Sequence, residues 1–234
     1  MNEASPTRDA GRPLSLRSPG LSRRTFLVAG GGMLAGGLGA GCTGGSAPPV
    51  PAPTTTATTA PVTDQPSGDL AVALLGASLE NTLAAAYGSL LDLASAGKLG
   101  TLPAAVTTLL QTVSSHHRDH AAAWNAILSG AGANATTGPD TTVFSTVVQP
   151  GLPTVKDTVT LVALALQLER IAAATYLEAL QRLLTTTGAL ETAAAIQPVE
   201  MQHIAVFSLF AGSYPVPDSF ATSSGARTTT DQLG

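Results

Sequence analysis

From Asp69 onward, apolar residues recur at the three- and four-residue spacing of a helix face as far as about Ala96. The same period resumes at Pro103, a residue suited to a first helical turn, and runs to about Leu128. A third periodic stretch covers Thr154 to about Thr186, and a fourth covers about Ala189 to Ala211, ended by Gly212 with Pro215 and Pro217 beyond it. The connections are unequal. Gly97-Lys98-Leu99-Gly100 is short, residues 187–188 are fewer still, and residues 131–153 form a long passage carrying Gly132, Gly138, Pro139, Pro150, Gly151 and Pro153. Short connections make antiparallel neighbours, so the pattern predicts an all-α, antiparallel four-helix bundle over residues 69–220. Helices two and three should run parallel across one long crossover. The Val143-Phe144 and Val147-Val148 pairs of that crossover are expected to pack along the bundle flank.

Aromatics make up 4% of the chain and charged residues 11%, which suits closely packed helices rich in Ala and Leu better than a sheet. The formal charge of −4 is unevenly spread. Five basic residues precede Cys42; from there on, six basic residues stand against thirteen acidic ones, a net of −7. A region that acidic has no basic stripe for phosphates, so no nucleic acid is expected as a partner. Cys42 is the single cysteine, which excludes an internal disulfide.

The N-terminal portion reads as targeting. Ser22-Arg23-Arg24-Thr25-Phe26-Leu27 resembles the twin-arginine signal, with Val28 where that motif ends in Lys. The apolar stretch that follows to Gly41 is about seventeen residues and Gly-rich, shorter than the ~20 a spanning helix needs. Leu38-Gly39-Ala40-Gly41-Cys42 resembles the lipobox of bacterial lipoproteins, with Gly39 in place of the usual aliphatic residue. It implies a chain tethered to a membrane through a lipid on Cys42, on the outer face of the cytoplasmic membrane or in the periplasm. Ordinary cleavage near Ala40, leaving a free thiol, is the alternative. Residues 1–41 are thus a signal peptide. Residues 42–68, almost uncharged Pro, Thr, Ala and Gly, are a disordered tether, and residues 221–234 a flexible tail.

The two halves of the periodic region repeat one another. Glu80 precedes Tyr87 by the same spacing as Glu169 precedes Tyr176, with an Ala run between them in both. In the partner helices, His117-Arg118-Asp119-His120 with Trp124 answers Glu200-Met201-Gln202-His203 with Phe207, about 85 residues later. Helical neighbours place Glu80 among Ala73, Gly76, Ala77, Leu83, Ala84 and Tyr87, and Glu169 among Val162, Ala165, Leu166, Ala172, Ala173 and Tyr176. His120 and His203 have similarly apolar surroundings. Buried carboxylates need protons, partners or a cation.

A Glu on each of two helices with a Glu-x-x-His on each of the others is the di-metal constellation of ferritin-like carboxylate proteins, which this chain resembles over about 150 residues. The Glu200–Phe207 and Pro215–Phe220 segments are similar to exported bacterial ferritin-like domains. The resemblance implies metal ligation by Glu80, His120, Glu169, Glu200 and His203. At the remaining position His117 stands where the family has a bridging Glu. That departure implies a weaker second ion, a single ion or none. The mixed oxygen and nitrogen set suits iron or manganese and accepts zinc, with oxidase chemistry on the bound metal as the implied activity. Glu169→Ala is expected to abolish metal uptake and, by relieving carboxylate repulsion, to stabilise the metal-free bundle.

Other readings of these residues stay open. Glu80 and Glu169 could pair with Arg118, Arg170 or the tyrosines, and His203 with Glu200 as a core pair. His116 or Asp119, in place of His117, could face inward. Trp124 and Phe207 read as core. Pro198, just before Glu200, either kinks helix four or begins it anew. The alternative function is a metal-free helical scaffold or binding module at the cell surface.

Overall fold

In a computed structural model, residues 67–216 and 218–229 are described. The Arg23-Arg24 pair, Cys42 and most of the Pro/Thr-rich segment lie outside the described residues. Four long helices carry the fold: α1 (Asp69–Ser95), α2 (Ala104–Gly130), α3 (Thr158–Glu178) and α4 (Thr187–Phe210). All regular structure among the described residues is helical.

Contacts between repeated residues fix the directions. Glu80 meets His117 while Gly76, one turn earlier, lies beneath Trp124, one or two turns later, so α1 and α2 are antiparallel. His117 meets Glu169 and Trp124 meets Tyr176, so α2 and α3 run parallel. Tyr87 reaches Glu169 and Tyr176 reaches Glu80, a crossed pattern that sets α1 against α3. Asp69 at the start of α1 bonds Thr186 at the start of α4, and Tyr87 stacks on Phe207 further along both. These are the directions that the loop lengths imply, the long crossover included.

Local chemistry explains most boundaries. Beyond the end of α1, Gly97 takes a φ of 68° that only glycine adopts without cost. Its N–H bonds the Ala94 carbonyl and that of Lys98 bonds Leu93, the paired closure of a left-handed C-terminal cap. α3 begins at Thr158, later than the expected Thr154, because Asp157 and Thr160 exchange side-chain and backbone bonds in a capping box. Residues Leu152–Thr154 form a separate 3₁₀ turn, and α3 runs out through a π-helical turn, Ala179–Leu183, before Leu184 extends. α4 has no side-chain cap of its own. The Asp69 carboxylate accepts from the backbone N–H of Thr185 and Thr186 at 3.0 and 2.6 Å, satisfying free donors there while sitting in the first turn of α1.

α4 is continuous through Pro198, so the helix does not restart there. The proline and Ala194, whose carbonyl it leaves without an intrahelical donor, are both exposed, where water can serve that carbonyl.

The crossover is more ordered than its composition suggests. Residues Thr141–Thr154 are a chain of short helical turns opened by Asp140, whose carboxylate accepts from the Val143 N–H at 2.8 Å. Val143 and Val148 are buried as expected, Val147 is half-buried, and Phe144 instead faces solvent at 45% exposure. Asn81 and Asn125 both donate to the Thr136 carbonyl, which ties the preceding loop to α1 and α2.

Nor is the tail free from Ala221 onward. Arg227 is buried, its N–H bonds Thr175 Oγ1 at 2.9 Å, and its guanidinium pairs with the buried Asp140 at 3.1 Å. One cation therefore joins the C-terminal segment, the crossover and α3, overriding a Ser/Thr-rich composition that by itself favours disorder.

The core is made of leucines along α1, namely Leu75, Leu79, Leu83 and Leu90, with Leu110, Val113, Trp124 and Leu128 of α2 and Leu161 and Leu168 of α3. α1 and the stretch Thr158–Leu183 are long and apolar enough to cross a membrane. In this fold they are the two helices most enclosed by the others.

Candidate metal centre

The apolar stripes of the four helices enclose a polar cluster half-way along the bundle. Glu80, His117, Glu169 and Glu200 are inaccessible to solvent, His203 is 4% exposed, and the side chain of His120 retains 12%. All six residues singled out in the sequence meet here. His117, the one for which neighbours on α2 competed, is central; His116 is half-buried beside it and Asp119 is exposed.

The two repeats interlock. Tyr87 donates to Glu169 and Tyr176 to Glu80, each tyrosine serving the carboxylate of the other half. Trp124 donates through Nε1 to the Tyr176 hydroxyl at 3.0 Å and stacks on that ring; in the second half Phe207 stacks on Tyr87. Trp124 is thus more than filler. The Glu-to-Tyr spacing shared by both copies was the signal for these bonds, but nothing in it shows that they cross between halves. Arg118 and Arg170, the other partners considered for the carboxylates, stand on exposed positions.

His117 lies between the first two carboxylates. Nδ1 is 2.7 Å from Glu80 and Nε2 is 3.1 Å from Glu169, with the ring stacked on Tyr87. His203 turns Nδ1 to Glu169 at 2.9 Å and to Glu200 at 3.3 Å. His120 turns Nδ1 to Glu200 at 2.9 Å and to Glu80 at 3.6 Å. On the outer side, Nε2 of His203 meets Nδ1 of His116 at 2.9 Å.

Charge is distributed unequally. Burial by itself pushes the Glu80 and Glu169 carboxyls up, yet the adjacent His117, with the nearby His120 imidazole for the former and a bond from His203 for the latter, holds both below the usual range. Glu200 goes the other way, because burial and the charge of Glu80 outweigh the attraction of His117. Burial lowers the basicity of His117, but three carboxylates around it raise it well above that of a free imidazole. In His120 burial is likewise outweighed, by Glu200 and Glu80, and its pKa is pushed up to about 9. His203 moves upward for the same reason, whereas His116 is lowered by burial and by the imidazoles of His203 and His120.

Two groups of ligand atoms are close enough to share an ion: Glu80, His117, His120 and Glu200, and His117, Glu169, Glu200 and His203. Each group has two carboxylates and two imidazoles, a mixed hard and borderline donor set for a divalent transition metal. Glu200 belongs to both, and so does His117. Both oxygens of Glu200 and Nδ1 of His120 are buried without a hydrogen bond of suitable geometry, although the two residues approach within ion-pair distance. Buried polar atoms without a well-formed hydrogen bond cost up to about 1–3 kcal/mol each, and a cation among them offsets that cost. The residues present therefore fit a metal ion.

The sequence pattern of the ferritin-like domain matches residues 42–213. No curated protein and no solved structure matches the chain significantly.

Proposed function

Because the chain belongs to the ferritin-like domain family, we propose that its bundle core is a transition-metal centre with iron or manganese as the first-choice ion and zinc an acceptable substitute. Glu80 and His120 would hold an ion on one side and Glu169 and His203 on the other, Glu200 reaching both. The observation that carries this reading is Glu200, a carboxylate common to both ligand groups whose two oxygens are buried without hydrogen bonds. A bound iron or manganese ion would supply one-electron redox chemistry, the basis for an oxidase activity. Oxygen consumption on adding ferrous iron to the purified protein tests that activity, with Glu169→Ala as the inactive control.

In this reading the chain's own residues do the rest. His117 holds Glu80 and Glu169 apart with one ring nitrogen directed at each. The tyrosines donate to the same carboxylates and fix their rotation. With an imidazole where a second bridging carboxylate would stand, two ions should bind with unequal affinity. A titration by calorimetry shows this as two steps or as a single ion per chain.

A second reading is favoured by His117 itself. A ring that serves two buried carboxylates satisfies much of the site without an ion, as a metal-free scaffold or binding module requires. Absence of iron, manganese and zinc binding at micromolar concentration would establish it.

We also propose that the protein works outside the cytoplasm. Residues 1–41 direct twin-arginine export and are then cleaved off by a signal peptidase, Cys42 becomes a lipidated N-terminus, and the bundle is held at the membrane surface by the Pro/Thr-rich segment. Mass spectrometry of the mature N-terminus tests the lipid. Replacing Arg23 and Arg24 by Lys should strand the precursor inside, and normal export of that variant rules out the twin-arginine route.

A further inference from the structure

We propose that His116 is a positioning residue that accepts the Nε2–H of His203 at its own Nδ1, so fixing the tautomer in which His203 presents Nδ1 to a divalent ion. This rests on the metal reading above, but it concerns a residue outside the five proposed ligands and His117.

The geometry carries it. His203 directs Nδ1 inward, toward Glu169 at 2.9 Å and Glu200 at 3.3 Å. In an imidazole the second nitrogen then faces away, and here it meets His116 Nδ1 at 2.9 Å. The two rings lie nearly in one plane, with centroids 5.2 Å apart and planes 16° from each other, the edge-to-edge placement that an in-plane N–H···N bond between imidazoles requires. A neutral imidazole carries one proton on its ring nitrogens, and a metal takes the lone pair of the bare one. With Nδ1 on the ion, Nε2 carries the proton and must donate it, and His116 Nδ1 is the atom in reach. Metal-binding histidines generally have such an outer partner, whose loss costs 10–100-fold in affinity. His116 precedes His120 by one helical turn on α2, so a single face of that helix supplies one inner imidazole and the outer support of another.

The test uses the purified chain, zinc and two substitutions. His116→Phe keeps a planar aromatic ring and removes the acceptor, while His116→Asn places an amide oxygen near the position of Nδ1. Competition with a fluorescent zinc chelator should show binding weakened 10–100-fold in His116→Phe and restored to within about threefold of wild type in His116→Asn. In the zinc-loaded wild type, the His203 Nε2 proton should appear in nitrogen-edited NMR as a bonded, slowly exchanging signal, present in His116→Asn and lost in His116→Phe. Equal affinity of wild type and His116→Phe overturns the inference and leaves the metal centre standing. So does failure of His116→Asn to recover, or absence of the bonded proton from the zinc-loaded wild type, a reading that needs no variant to fold. Failure of the wild type to bind zinc overturns the metal reading and this inference with it.

Discussion

Glu169 accepts from Tyr87, faces both His117 and His203, and is wholly buried. On sequence alone, two inward-facing glutamates suggest mutual repulsion that Glu169→Ala would relieve. The structure reverses that expectation for the metal-free protein, because the residue that departs from the family pattern, His117, separates and bonds both carboxylates. Glu169→Ala leaves a buried imidazole and a buried phenol without their partner. It should therefore destabilise the metal-free bundle by about 3–5 kcal/mol, read by urea unfolding, besides removing metal uptake. The inward-facing residues were legible from helical spacing. Which of them bonds which was not, since periodicity gives a face but no register between helices. The histidines add a pH dependence. The folded pKa of His120, about 9, lies above its unfolded value of 6.5, so its contribution is full below pH 6.5 and is lost as pH rises through 9. His203 shifts in the same sense. Thermal melts of the metal-free protein should fall in Tm across that window. Stabilisation by added manganese should grow over the same range, because deprotonated imidazoles are the ligands.

α1 contains two interior glycines with opposite roles. An added Cβ at Gly76 would lie 2.8 Å from the Trp124 indole, whereas at Gly88 it would meet nothing within 4 Å. Gly76→Ala should cost about 1–3 kcal/mol through overpacking and disturb the Trp124–Tyr176–Glu80 chain. Gly88→Ala should gain up to about 1 kcal/mol from helix propensity. Chemical denaturation of both variants, with tryptophan fluorescence as the probe, checks the contrast. The number and order of the helices, and their pairing across one long crossover, follow from periodicity and loop length. Their ends follow less well, because capping contacts decide them. Asp157 with Thr160 delays α3, and Asp69 opens α4 from another helix. A Glu on one helix in view of a His on its neighbour could be expected from the duplication, but an acid from the first helix closing the start of the last has no local sequence signature.

At the scale of the molecule, the C-terminal segment matters more than its composition implies. Arg227 pairs with Asp140 in a buried position and thereby clamps the crossover that makes the topology possible. Composition describes how little a segment can bury on average and is blind to one long cation finding one buried acid. Arg227→Ala leaves the buried Asp140 without this pair and should lower stability by about 3–5 kcal/mol. Hydrogen exchange should then speed first in residues 140–155, while the amides of α1 stay protected. We propose that the polar cluster enclosed by the four helices holds a transition metal. The most direct test is elemental analysis of the protein, purified in its folded state from its native export route. Iron or manganese at one to two ions per chain, lost in Glu169→Ala, is the predicted result; a folded protein carrying neither of these nor zinc, and taking up none at micromolar concentration, would contradict it.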